Sequence, residues 1–216
     1  MYQKGDKKLI HRWAFYDWAN SVYSLVISTA VFPIYYETVT ETDNGLVNFL
    51  GFELNNTSLY TYALSISFLI VAFISPLLSG IADYVGNKRT YMKFFCYFGS
   101  LSVMSLFFFT GVETLWVGIL FSVLASVGFW GSLVFYNAYL PEVAYSDQQD
   151  AASALGFIYG YIGSVILLIF NLSMVMKPEW YGISDPSLAP RISFLTVGLW
   201  WIGFAQVTFS RLPYNL

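Results

Sequence analysis

Ser79-Gly80-Ile81-Ala82-Asp83-Tyr84-Val85-Gly86-Asn87-Lys88-Arg89 is a short polar break between two long apolar runs. Residues 58–82 before it carry no charged side chain, and residues 91–110 after it carry only Lys93. A helix that crosses a bilayer needs about 20 mostly apolar residues, so each run reads as a span and the break as the loop between them. Asp83 closes the first run where a carboxylate can meet a helix N-terminus or a basic partner. Gly86 permits a tight turn with positive φ. Lys88 and Arg89 hold the loop on the cytoplasmic side, where basic residues accumulate.

The rest of the chain has the same character. Of its 216 residues 57% are hydrophobic and 11% are charged, against roughly 25% charged in soluble domains. Ten Lys plus Arg and thirteen Asp plus Glu are too few for a soluble skin. The composition therefore points to a membrane protein and away from a soluble enzyme. Net charge is −3 with no basic block, so no nucleic-acid partner is expected. One histidine, His11, and one cysteine, Cys96, leave little material for a metal site or a Cys/His nucleophile pair. No metal and no cofactor are expected.

Six runs qualify as spans: 13–36, 58–82, 91–110, 114–140, 151–176 and 191–210. The first contains Asp17 and Asn20 and outlasts a signal peptide, so it is read as a span rather than a cleaved leader. Lys4, Lys7, Lys8, Arg12, Lys88, Arg89, Lys93 and Arg211 fall on the N-terminal side of the spans, and only Lys177 and Arg191 fall on the other. Eight against two places both termini in the cytoplasm. Loop 1–2, residues 37–57, is the longest and is read as a polar outer loop. The loop between spans 5 and 6 carries Pro178, Pro186 and Pro190 and is read as an ordered turn. Ser146 and Gln149 are spaced as a capping box that opens span 5.

The spans repeat in kind. At about 100° per residue, Asp17, Ser21, Ser24 and Ser28 of span 1 fall in one sector of about 60°, with Asn20 just outside it. Span 4 carries a weaker stripe of Ser122, Ser126 and Asn137, interrupted by Phe129 and Leu133. Spans 2 and 5 carry small residues, Ser65, Ala72 and Ser79 in one and Gly156, Gly160 and Gly163 in the other. Spans 3 and 6 are bulky. Polar, small, bulky occurs twice. Three-helix units joined in series are inverted in the bilayer, which is the 3+3 pattern of half a major facilitator transporter.

The opening stretch supports this reading. It resembles the major facilitator loop signature G-x-L-A-D-R-x-G-R-[RK]-[RK] at the same place in the topology. Asp83, Gly86, Lys88 and Arg89 match; Ser79, Tyr84 and Asn87 stand where the signature has Gly, Arg and Arg. Small size at Ser79 keeps room for close helix approach. Further runs carry the resemblance: Arg12 to Tyr23, Ser75 to Tyr84, Phe135 to Glu142 and Ala154 to Ser164. Together these look like the "unknown major facilitator" family, related to the fungal autophagy-related vacuolar effluxers.

The resemblance implies an all-α integral membrane fold with six helices as a 3+3 inverted repeat, one half of a major facilitator. It implies secondary active transport of a small solute, possibly amino-acid-like, by alternating access, in a multi-pass protein of a bacterial inner membrane. Family members have about twice as many spans, so residues 1–216 are read as the N-terminal half, with the C-terminal half absent from this chain. The expected partners are the lipid bilayer, the solute, and that second half or a second copy. The alternative reading is a non-transporting six-helix membrane scaffold or interaction module. An ATP-driven exporter would need a nucleotide domain, and no phosphate loop is present.

Asp17 is the first candidate for coupling or substrate binding, because an ionisable group inside a span faces a cavity or a partner. Its structural alternative is pairing with Arg12, a basic loop residue or a helix end. Asn20, Tyr23 and Asn137 are candidate hydrogen-bonding residues for a polar solute, although Tyr23 sits off the Asp17 stripe. Ser79, Asp83, Gly86, Lys88 and Arg89 form the expected cytoplasmic gating loop. Gly156, Gly160 and Gly163 are read as helix-packing positions at the interface between halves.

Overall fold

The computed structural model describes residues 3–84 and 87–212, without the side chain of Asp83. Gly86 and the Asp83 side chain therefore lie outside the described residues. Six helical spans are present: Lys7–Val39, Asn56–Ala82, Lys88–Phe108, Val112–Val143, Ser146–Met176 and Leu188–Phe209. Each expected span is found, with its ends set by local chemistry. Span 1 begins at Lys7, ahead of its apolar run, because Asp6 caps it: Oδ1 accepts from the Lys8 N–H at 2.8 Å. Span 3 begins at Lys88 because Asn87 caps it, accepting from Thr90 Oγ1 at 2.9 Å.

Two local expectations are corrected, and loop 1–2 holds an element that the sequence reading did not include. Ser146 does not cap span 5. A 3-10 turn covers Ser146–Gln148, and Gln148 reaches back to the Tyr145 N–H at 3.1 Å, so the cap lies one residue earlier. Loop 1–2 is not wholly irregular. Leu46–Phe49 (β1) and Phe52–Asn55 (β2) pair antiparallel around Leu50 and Gly51, whose φ values of 56° and 86° give the two positive-φ centres of a type I′ turn. Among the described residues the fold is thus six spans plus one small hairpin. Span 1 is not α-helical throughout. Tyr23–Val31 is a π-helix in which the Phe32 N–H reaches Ile27 O, five residues back.

The spans pack in a pattern that survives exchange of 1 with 4, 2 with 5 and 3 with 6. Span 1 packs on 5 and 6, span 4 on 2 and 3, and span 3 on 6. The ends of spans 3 and 6 repeat the symmetry in detail. Arg89, opening span 3, donates from Nη1 to Leu212 O beyond span 6 at 2.8 Å. Arg191, opening span 6, donates from Nε to Phe107 O at the end of span 3 at 2.7 Å and lies over the Phe107 ring. This is the 3+3 arrangement of one half of a major facilitator fold.

The core sits among spans 1, 3, 4 and 6, where Trp13, Tyr16, Cys96, Phe135, Tyr139 and Trp201 are fully buried. Excluding water does not drive helices together inside a bilayer, so packing and interhelical hydrogen bonds must. Aromatic donors supply several. Trp13 Nε1 donates to Tyr136 O at 2.9 Å, Trp200 Nε1 to Trp18 O at 3.0 Å and Tyr35 Oη to Phe109 O at 2.8 Å. Spans 3 and 4 approach most closely at Gly99 and Gly128, where a Cβ on Gly128 would collide with the Gly99 backbone.

Candidate functional site

Spans 1, 4 and 5 enclose a groove of ≈ 340 Å³. Span 1 contributes its polar face: Asp17, Asn20, Ser21, Ser24 and Thr29. Span 4 contributes Phe129 and Leu133, and span 5 contributes Phe157, Gly160, Tyr161 and Ser164. The span 1 wall is mostly polar, the span 4 wall is apolar, and the span 5 wall mixes aromatic rings with the hydroxyl of Ser164. Apolar walls with a few placed polar groups are the usual make-up of a small-molecule site.

Asp17 is only 9% exposed. Its Oδ2 accepts from Tyr136 Oη at 2.8 Å. Tyr136 is fixed in turn by Trp13, whose ring stacks on it at 4.3 Å and whose indole N–H takes its carbonyl. Neither of the two ion pairs among the described residues, Lys88–Glu142 and Lys177–Glu179, involves Asp17. The carboxylate is held by a phenol. The expected alternative, an ion pair with a basic residue, is not the arrangement here. Asn20 is fully buried and its Nδ2 has no partner among the described residues; Ser164 Oγ is also buried and unpartnered among them. A buried polar atom without a partner costs free energy. Two such atoms beside a carboxylate on one groove leave hydrogen-bonding capacity for a ligand or water.

Glycines let span 5 approach this wall. A Cβ on Gly156 would lie 2.5 Å from Asp17 Oδ2 and 2.8 Å from Tyr136 Oη, and one on Gly160 would lie 2.5 Å from Ser21 Oγ. A Cβ on Gly163 would lie 3.0 Å from Trp18. All three glycines therefore pack on span 1, and Gly160 also lines the groove.

The other candidates are placed apart. Tyr23 is turned away from Asp17, stacking near Phe129 and Trp201 and lining a separate cavity of ≈ 20 Å³ between spans 1, 2 and 4. Ser28 lines that cavity as well, not the groove. The α-helical stripe put Ser28 with Asp17, but the π-helix shifts the register. Thr29 takes the groove position, its Oγ1 bonded to Ser24 O five residues back at 2.8 Å. Asn137 is exposed on span 4, one turn beyond Leu133. Ser79 is exposed, and a Cβ on the adjacent Gly80 would meet nothing within 4 Å among the described residues, so no close helix approach is made there among them. Lys88 pairs with Glu142 and donates to Ala138 O at 3.0 Å, tying the start of span 3 to the end of span 4.

Thr29, Tyr136 and Ser164 join the site without having been singled out from sequence. Tyr136 is one aromatic among many; only the fold brings it to Asp17, 119 residues away.

Residues 5–215 match the family described as "Vacuole effluxer Atg22 like". The chain belongs to this family. Among individual relatives of this Atg22-like chain, the MFS-type transporter YxiO of Bacillus subtilis (strain 168) is 35% identical over 88% of the chain and 43% of its own length. Autophagy-related protein 22-2 of Aspergillus niger is 30% identical over 82% of the chain and 39% of its own length. Autophagy-related protein 22-1 of Penicillium rubens is 30% identical over 56% and 21% respectively. The chain thus spans less than half the length of these relatives. No solved structure matches it. The Atg22-like family is one of membrane transporters, not of enzymes, and the chain is a multi-pass integral membrane protein.

Proposed function

We propose that the chain is the N-terminal six-helix half of a secondary active transporter, which moves a small solute by alternating access between two such halves. The observation that carries this is the groove. A buried carboxylate without a cation partner stands beside two unpartnered buried polar atoms, on a face closed by protein on three spans only. A second six-helix unit opposite this face would complete a cavity. Asp17 is the coupling or solute-anchoring residue, Tyr136 positions it, and Asn20 and Ser164 offer polar contacts. Tyr23 and Asn137 are outside the groove and have no part in this reading. The family's description as vacuole effluxers favours export, and amino-acid-like solutes are the class that the resemblance implies.

Ser79, Asp83, Gly86, Lys88 and Arg89 form a brace or gate rather than a solute site. Both termini lie in the cytoplasm of a bacterium with the chain in its inner membrane. Reporter fusions after Arg12, near Asn48, near Asn87 and after Arg211 read in, out, in, in; an outward reading near Asn87 overturns the orientation.

The test of function is transport against exchange in proteoliposomes holding the full-length transporter, with and without an imposed pH gradient. Asp17→Asn abolishes gradient-driven uptake and keeps solute exchange, since exchange needs no net proton movement. Asp17→Glu keeps part of both. Intact gradient-driven uptake in Asp17→Asn makes Asp17 a packing residue and sinks this assignment.

A further inference from the structure

The hairpin is two-faced. Residues paired across an antiparallel ladder share a face, so Val47 with Leu54 and Phe49 with Phe52 form one face, and Asn48 with Glu53 and Leu46 with Asn55 form the other. The first face is apolar throughout. Its Val47 end is buried on the body, and Phe49 and Leu54 pack against the core. Its other end overhangs: Phe52 is 69% exposed, and Leu50 at the tip is 82% exposed.

Two features argue against a slack loop. The base is pinned to the ends of spans 1 and 2: Tyr36 Oη donates to Asn56 O at 3.0 Å, Asn56 Nδ2 to Thr40 Oγ1 at 3.3 Å, and Asn56 N to Gly45 O at 3.2 Å. The tip holds a leucine at φ 56°, where a type I′ turn favours Asn, Asp or Gly. A leucine is strained there, and its side chain is bare.

We propose that this hairpin is an interfacial anchor, with Leu50, Phe52 and the outer edge of Phe49 seated at the headgroup–acyl boundary of an uncharged lipid surface. Span 2 begins at Asn56, directly after β2, so the hairpin stands at the end of a membrane-spanning helix. Ile34 and Tyr62 on the adjoining spans are exposed as well, and Ile34 lines a hollow with Gly45 and Asn56 at the base of the hairpin. An amphipathic element that lies flat at the boundary buries its apolar face and keeps its polar face in water. Charge selects the lipid. Glu37, Glu41, Asp43 and Glu53 surround the hairpin, and residues 37–57 hold no Lys or Arg, so anionic headgroups repel it.

The test uses single cysteines at 48, 50, 52 and 53, each carrying a small environment-sensitive fluorophore, in the chain reconstituted into phosphatidylcholine vesicles. Native Cys96 is fully buried and stays unlabelled. Bromine on the lipid acyl chains quenches labels at 50 and 52, while aqueous iodide quenches those at 48 and 53. Replacing part of the phosphatidylcholine by an anionic lipid lowers the acyl-chain quenching. Leu50→Asn suits the turn and keeps the hairpin, yet weakens acyl-chain quenching of a label at 52. Equal iodide quenching at all four positions overturns the proposal. So does protection of 50 and 52 from both quenchers, which means that a second copy or another six-helix unit covers the hairpin. Unchanged quenching at 52 in Leu50→Asn overturns the anchoring role of the tip.

Discussion

Spans 1 and 4 occupy equivalent places in the two three-helix units, and their surroundings differ. Span 1 carries Asp17, Asn20, Ser21 and Ser24, and is gripped by the glycine face of span 5. Span 4 turns Phe129 and Leu133 to the same groove, and span 2 packs on it around a void of ≈ 10 Å³ lined by Val71, Ile74, Val127 and Gly131. The scaffold is symmetric and the chemistry is not. Repetition of a packing scheme constrains size and shape at helix contacts. It places no demand on which unit carries the buried carboxylate.

The largest expected effect tests the grip of span 5. Gly156→Leu drives a side chain into Asp17 and Tyr136 and destabilises the protein by about 3 kcal/mol, the upper end for overpacking. Gly80→Leu on span 2, with nothing within 4 Å among the described residues, leaves the melting temperature in detergent nearly unchanged. Equal losses at the two positions remove the contrast.

Next is the phenol that span 4 contributes. Tyr136→Phe keeps the stack on Trp13 and removes the hydrogen bond to Asp17. A hydrogen bond to a charged group contributes about 1.5–3 kcal/mol, so gradient-driven transport falls much more than expression does. Tyr139→Phe, on the same helix away from the groove, spares transport. Transport unaffected by Tyr136→Phe shows that span 1 works without span 4.

A smaller effect tests the π-helical register. Thr29→Val removes a groove hydroxyl bonded to Ser24 O, whereas Ser28→Ala alters the cavity on the other side. Solute affinity falls a few-fold with Thr29→Val, for about 1 kcal/mol, and holds with Ser28→Ala. The reverse ranking restores a continuous α-helix through span 1.

The smallest concerns the loop before span 6. Asp185 accepts from Ser187 Oγ at 2.8 Å and Ser187 N at 2.9 Å, and these bonds hold its carboxyl below the usual carboxylate range. A depressed folded-state value stabilises the protein above the unfolded value of about 3.9 and loses that contribution as pH falls through the folded one. Asp185→Ala therefore lowers the melting temperature slightly at neutral pH, and the difference from wild type vanishes in strong acid. A difference that persists at low pH excludes the charge as its cause.

The six spans were legible in the sequence because bilayer thickness imposes a length and an apolar composition that few residues can disguise. The family was legible because Asp83, Gly86, Lys88 and Arg89 recur at fixed spacing in a fixed loop. Asp17 stood out because charge inside a span is rare. Its partner did not: aromatics are 20% of the chain, and composition cannot single out Tyr136 among them. The hairpin was hidden because Leu50 occupies a turn position normally marked by Asn or Gly, which removed the usual signal.

Apolar length, charge placement and the signature loop were thus determined by sequence alone, since each is a local or additive property of the chain. Tertiary structure decided which groups meet. A π-helix in span 1 exchanged Ser28 for Thr29 in the groove. Gly156 let span 5 close over Asp17, and span 4 brought Tyr136 to the carboxylate. These depend on helix register and on contacts between residues over a hundred positions apart, and no periodicity within a single span encodes them.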